Sequence, residues 1–177
     1  MGAGILPAAI WNGKLYFLFG KENNLEASAP GYSDFGGGHE NNETKLQTAI
    51  REIGEEMTGF MGTDREMAAH IRKFGFYPVD TADGNYRTHI VPFTYDANIE
   101  RYFNNTRKYI HTHLDKSIIK QTTIFEKEEI KWVCIDEIET MRQKFRHFYW
   151  EIVSQILSKQ SEIRSLVGKK KKTRKRH

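Results

Sequence analysis

Residues 36–56 read Gly36-Gly37-Gly38-His39-Glu40-Asn41-Asn42-Glu43, then Thr44 to Ile50, then Arg51-Glu52-Ile53-Gly54-Glu55-Glu56. A glycine run leads into a periodic segment. Leu46, Ala49, Ile50, Ile53 and Met57 recur at steps of three and four, which predicts an amphipathic helix from Glu43 to about Met57. At about 100° per residue, Glu52, Glu55 and Glu56 share an arc of roughly 100°, and the apolar stripe is centred about 130° away. One face therefore suits a core while another presents three carboxylates. Like charges this close cost an isolated helix about 0.2–0.5 kcal/mol per pair, and a divalent cation reverses the sign. Oxygen-only ligands suit Mg2+ or Mn2+. The preceding glycines let backbone approach a metal or phosphate with no Cβ in the way. Arg51 is placed to pair with Glu43 and hold the loop to the helix. Taken alone, the same features also describe a solvated acidic helix behind a glycine-rich turn.

Upstream, Ile5 to Trp11 and Lys14 to Gly20 read as two strands joined by the hairpin turn Asn12-Gly13, and Lys21 to Ser33 as a polar loop. Downstream, Ile71 to Pro78 and Thr88 to Tyr95 read as strands, with a turn at Asp83-Gly84-Asn85. Asn98 to Leu114 is weakly helical, and a strand is expected around Ile130 to Ile135. Asp136 is placed to cap a long final helix carrying Phe145, Phe148, Ile152 and Ile156. Strands and helices interleave irregularly, so the fold class is α/β, one layered domain over residues 1–167. A helical basic insert occupies about 98–120, and 168–177 form a basic, disordered tail.

The chain has 177 residues, 38% hydrophobic and 28% charged, an ordinary balance for one soluble domain with a proper core. No apolar run approaches the ~20 residues of a membrane helix, so no membrane partner is expected. Met1 to Ile10 lacks the basic start of a signal peptide. The lone cysteine, Cys134, lies in an apolar stretch and reads as a buried core residue in a reducing compartment. The net charge of +4 is concentrated in the tail: Lys169, Lys170, Lys171, Lys172, Arg174, Lys175 and Arg176 contribute seven charges, and removing those seven from +4 leaves −3 for the remainder. No phosphate-binding Gly-x-x-x-x-Gly-Lys-Ser/Thr occurs, and the spacing of His111 and His113 is more often solvated than ligating.

The joint pattern of Gly37, Glu43, Arg51-Glu52-Ile53 and Glu55-Glu56, at these spacings, resembles the Nudix box. The family places a glycine and then an apolar residue two and three positions after the glutamate pair, where this chain has Thr58 and Gly59. The resemblance implies a Nudix fold, a mixed β-sheet layered between α-helices. It also implies Glu52, Glu55 and Glu56 as metal ligands, the Gly36 carbonyl as a further one, and Mg2+- or Mn2+-dependent cleavage of a phosphoanhydride. A late carboxylate normally completes such a site as ligand or base. Phe125-Glu126-Lys127-Glu128-Glu129-Ile130-Lys131-Trp132 is the source here, with Glu126 and then Glu129 as candidates.

That second segment resembles the matching one in Nudix proteins of large cytoplasmic DNA viruses, a group with mRNA-decapping members and relatives acting on diphosphoinositol polyphosphates. It implies capped RNA as substrate, release of 7-methylguanosine diphosphate, and action in the host cytoplasm; the basic tail also fits a nuclear signal. Arg101, Arg107, Lys108, Lys116 and Lys120, interleaved with Tyr102, Phe103 and Tyr109, fit an RNA-holding wall, as does the tail. A solvated helix with its aromatics in the core fits those residues as well. Trp11, Tyr16, Phe19, Tyr32 and Phe60 are available to stack on a cap, whereas Trp132 and Trp150 read as core. Two alternatives stay open. One is a pyrophosphohydrolase acting on nucleoside di- or triphosphates, dinucleotide polyphosphates or inositol pyrophosphates. The other is a catalytically silent Nudix-fold protein that binds RNA.

Overall fold

In a computed structural model the described residues are 1–23, 30–122 and 124–172. Two strands, β1 (Gly2–Trp11) and β2 (Lys14–Glu22), form the expected hairpin. Asn12 and Gly13 both have positive φ (47° and 78°), which a two-residue turn of matching twist requires. Then come β3 (Tyr32–Ser33), β4 (Phe35–Gly38), α1 (Lys45–Glu56) and α2 (Asp64–Phe74). They are followed by β5 (Tyr77–Asp80), β6 (Tyr86–Pro92), α3 (Ala97–His113), α4 (Lys116–Thr122) and β7 (Lys127–Cys134). Three short 3-10 turns over 135–149 lead to α5 (Trp150–Ser158) and α6 (Gln160–Lys172).

The seven strands make one mixed sheet ordered β3-β2-β1-β6-β5, with β7 on β2 and β4 on β1. Only β1 and β6 run parallel. One edge of β1 is shared. Its C-terminal half, Ala8 to Trp11, pairs with β2, and its N-terminal half, Gly2 to Ile5, pairs with β4. Beyond Phe17, β2 leaves β1 and carries β7 and β3 away with it, so the sheet forks between β2 and β4. The candidate site sits in that fork.

Alternation along β1 sends Leu6 and Ala8 to one face and Ala3, Ile5 and Ala9 to the other, so the central strand is buried on both sides. The first face packs against the 3-10 segment, α5 and α6 through Tyr149, Ile152, Ile156 and Ile163. The second packs against α1, α2 and α3 through Ala49, Ile53, Met67 and Phe103. Helix α1 obeys its expected stripe, and Thr44 with Gln47 closes a capping box at its start.

The structure departs from four expectations. Residues 64–74 are helical, where a strand was expected from Ile71. Thr63 and Glu66 form a capping box, Met67 and Ile71 are buried one turn apart, and Gly75 ends the helix at φ 73°. The long final helix is broken. Phe145 is extended (φ −83°, ψ 151°) and bridges to Tyr32, and the Arg146 N–H donates to the Tyr32 carbonyl. Gly31 admits this approach, since a Cβ there would stand 2.7 Å from Arg146 N. Asp136 caps nothing and pairs with Lys14 on the surface. Two predicted core residues, Cys134 and Trp132, are buried as expected. Helix α6 runs on to Lys172, past residue 168 where the tail was expected to start. Arg174, Lys175 and Arg176 lie outside the described residues, and Lys169 is exposed. Among the described residues no helix is long and apolar enough to cross a membrane.

Candidate functional site

The glycine run forms β4, which places its backbone beneath α1. A Cβ on Gly37 would stand 2.5 Å from Glu52 Oε1, so the Glu52 carboxylate rests directly on this glycine. Arg51 clasps loop and helix together. Its Nε and Nη2 donate to the two oxygens of Glu43 (2.9 and 3.2 Å), Nη2 to the Gly38 carbonyl (2.9 Å), and Nη1 to Glu52 (2.8 Å) and Glu55 (3.0 Å). This is the Glu43–Arg51 link expected from sequence. The Arg51 guanidinium holds Glu43 well below the usual range, at about 2. Burial raises the Glu52 carboxyl, Arg51 lowers it, and the charges of Glu55 and Glu126 raise it further.

Glu126 therefore stands within electrostatic reach of Glu52, just before β7. Glu129 is directed elsewhere. It shares a face with Val133, on the side of the sheet opposite α1, where it hydrogen-bonds the Tyr32 hydroxyl and helps hold that phenol above its ordinary pKa. Of the two late glutamates, only Glu126 joins the helix glutamates.

Glu56 is buried in the fork and has an unexpected partner. Lys127 Nζ, with no exposed surface, lies 2.9 Å from Glu56 Oε1 and also donates to Glu22 Oε1. Arg146 Nη1 donates to the same Glu22 oxygen (2.8 Å). The second oxygen of Glu56, Oε2, is buried with no hydrogen-bond partner. Burial raises the Glu56 carboxyl, against the pull of Lys127. Burial lowers Lys127, but Glu56 and Glu22 outweigh it and leave its pKa raised. Lys127 is held charged, because its ammonium bonds an oxygen of both Glu56 and Glu22. Sequence reasoning missed Lys127, Glu22 and Arg146. A lysine beside Glu126 and Glu128 looks like surface, and only the bulge opposite Lys21/Glu22 turns it inward.

Thr58 stands where the box expects glycine, and its backbone keeps the left-handed conformation a glycine would favour (φ 49°). In exchange, its hydroxyl accepts the Phe125 N–H (3.0 Å), tying the exit of α1 to the residue before Glu126. Behind the fork Asp34 is buried, accepting from Tyr86 Oη (2.8 Å) and Thr88 Oγ1 (2.7 Å). Burial pushes its carboxyl up to about 6.

The fork residues offer only oxygen donors, as Mg2+ or Mn2+ requires. Glu56 Oε2 lacks a partner, Gly37 leaves room for close approach, and Glu52 and Glu55 share Arg51, so the set fits a divalent ion. Among the described residues no three ligating side chains are already closed around one point. The Gly36 backbone is paired with Gly4 in the sheet.

A cleft of about 830 Å³ lies on the opposite face, lined by Pro30, Arg142, Phe145, His147, Trp150 and Glu151. Arg146, between two of those residues, is the one that reaches Glu22. A second hollow of about 510 Å³ adjoins Glu55, Arg51 and Gly59.

On α3, Phe103 is buried while Tyr102 and Tyr109 are 56% and 64% exposed, beside exposed Arg101 and Lys108. Arg107 is half-buried near Glu128, and Lys116 and Lys120 are exposed on α4. Of the proposed cap-stacking aromatics, Phe19 and Tyr32 are core. Trp11 stacks on Tyr95 (4.8 Å) and contacts Tyr16, in a cluster at the far end of β1 from Gly37. Phe60 packs edge-on to Phe103 and Phe125.

No protein-family model and no curated protein sequence matches the chain. Solved structures do. A C. elegans Ap4A hydrolase in a binary complex superposes over 93% of this chain and 98% of its own, with a TM-score of 0.55 at 16% identity. A Nudix hydrolase from M. smegmatis matches over 92% and 86%, with a TM-score of 0.51 at 13% identity. A bifunctional NMN adenylyltransferase/ADP-ribose pyrophosphatase from Francisella tularensis matches 89% of this chain and 41% of its own, with a TM-score of 0.51 at 17% identity. With its forked mixed sheet between helical layers, the chain has the Nudix hydrolase fold.

Proposed function

We propose that this chain is a divalent-metal-dependent pyrophosphohydrolase acting on a small nucleotide substrate, of the dinucleotide polyphosphate or nucleoside-diphosphate type. The observation that carries the reading is the fork itself. Glu52 rests on Gly37, Glu55 shares Arg51 with it, Glu56 keeps a bare Oε2, and Glu126 lies within reach of the Glu52 charge, so four carboxylates border the fork. Bound there, Mg2+ or Mn2+ would draw charge from the bridging phosphates and lower the pKa of a water. Arg51 orients Glu52 and Glu55, and the half-buried Glu52, its basicity raised by burial, is suited to take a proton from that water.

A second reading, removal of the cap from RNA, is favoured by one observation: α3 exposes Tyr102 and Tyr109 among basic residues, next to the Phe125 that precedes Glu126. The test is a product assay with Mg2+ or Mn2+ on dinucleotide polyphosphates, nucleoside diphosphate derivatives, inositol pyrophosphates and capped RNA, with Glu55→Gln as the blank. Turnover of small nucleotides, lost at least 100-fold in the blank, is expected. Turnover of capped RNA alone would replace the first reading with the second. Turnover of nothing would make the chain a silent binder.

A further inference from the structure

We propose that Lys127 is a built-in cation of the metal site: it fills the space between Glu22 and Glu56, holds Glu56 Oε1, and leaves only Oε2 of that residue to ligate. The inference rests on the reading of Glu52, Glu55 and Glu56 as metal ligands and adds to it how many cations the fork takes up.

Lys127, Glu56 and Glu22 are all buried, at 0, 5 and 8% exposure, so their charges answer to one another rather than to water. The ammonium bonds one oxygen of each carboxylate. Arg146 supplies a second positive charge on Glu22. A buried ion pair is weak evidence of a stabilising role, because an apolar residue of similar volume often serves as well. Here the lysine stem passes over Gly20, where a Cβ would stand 3.0 Å from its Cγ and Cδ, and beside Phe35 of β4. That route delivers the ammonium to the ligand helix, when Phe125 and Ile130 on either side are already core. Removing the ammonium leaves a volume lined by Glu22 and Glu56 oxygens, which is chemistry for a divalent ion. Lys127 is thus a positioning residue. It confines divalent ions to Glu52, Glu55, Glu126 and Glu56 Oε2.

The experiment titrates Mn2+ into the full chain, counts bound equivalents by electron paramagnetic resonance, and measures thermal unfolding with and without MnCl2. Wild type, Lys127→Met, and Lys127→Met with Glu22→Gln are compared. Lys127→Met should bind one Mn2+ equivalent more than wild type, or fold only when Mn2+ is present. The double variant, with one carboxylate of the pair neutralised, should return to the wild-type count and fold without Mn2+. A folded Lys127→Met with the wild-type count overturns the proposal, as does a Lys127→Met that Mn2+ fails to rescue. Wild type that binds no Mn2+ at all overturns the metal reading instead.

Discussion

The three consecutive glycines of β4 separate what the fold needs from what the chemistry needs. A Cβ on Gly36 would stand 2.5 Å from Gly4 Cα and 2.6 Å from the Ala3 carbonyl, both backbone of the neighbouring strand. Backbone in mid-sheet cannot retreat, so Gly36→Ala should cost about 1–3 kcal/mol as overpacking. That is a fall of roughly 2–12 °C in melting temperature for a chain of this size. On Gly37 the clash is with the end of a side chain, Glu52, at 2.5–2.7 Å. The carboxylate moves by about 1 Å to reach ordinary contact, stability barely changes, and a misplacement of that size costs about 100-fold in turnover. On Gly38 nothing lies within 4 Å, so Gly38→Ala should fold and turn over like wild type. The assay is kcat/KM on the substrate identified by the product panel, beside thermal melts of the same preparations. Equal damage at Gly37 and Gly38, or full activity in a folded Gly37→Ala, would refute the placement of Glu52 on the loop.

Two further outcomes test the surroundings. Asp34 has its folded pKa raised from 3.8 to about 6 by burial, so between those values the folded protein holds a proton the unfolded chain has released. Its contribution to stability is full below about pH 4 and is lost as pH rises through 6, a span worth at most about 3 kcal/mol. Asp34→Asn should therefore gain on wild type in melts at pH 7 relative to pH 4, and a difference independent of pH would sink the argument. Thr58→Gly relieves a left-handed β-branched residue but loses the bond to the Phe125 N–H. Relief and loss are each about 1 kcal/mol, so the melting temperature should hold while kcat falls through Glu126; unchanged kcat would show that this tie does not position Glu126.

Much of this was legible in the chain itself. Alternation and the Asn12-Gly13 turn specify the hairpin, because a period of two and paired positive φ angles are local properties. The α1 stripe and its glutamate face follow from 3.6-residue geometry, and the Glu43–Arg51 clasp from charges placed eight residues apart across a loop. Even the missed α2 carried its signal in the Thr63-x-x-Glu66 box.

Other features depend on segments distant in sequence. Phe145 leaves the helical pattern because Tyr32, more than a hundred residues earlier, offers a backbone bridge. Glu126 and Glu129 look equivalent on paper, but Glu129 pairs with Lys21 inside β7 and faces away from α1, whereas Glu126 precedes the strand and lies within reach of the Glu52 charge. Lys127 reads as surface charge until a bulge turns it into the fork with Glu22 and Glu56. Periodicity and capping are written in neighbouring residues and so were determined by the sequence. Which carboxylate is bare, and which is held by a buried ammonium, was decided only where β1 passes its edge from β2 to β4, because burial and charge pairing are properties of the packed whole.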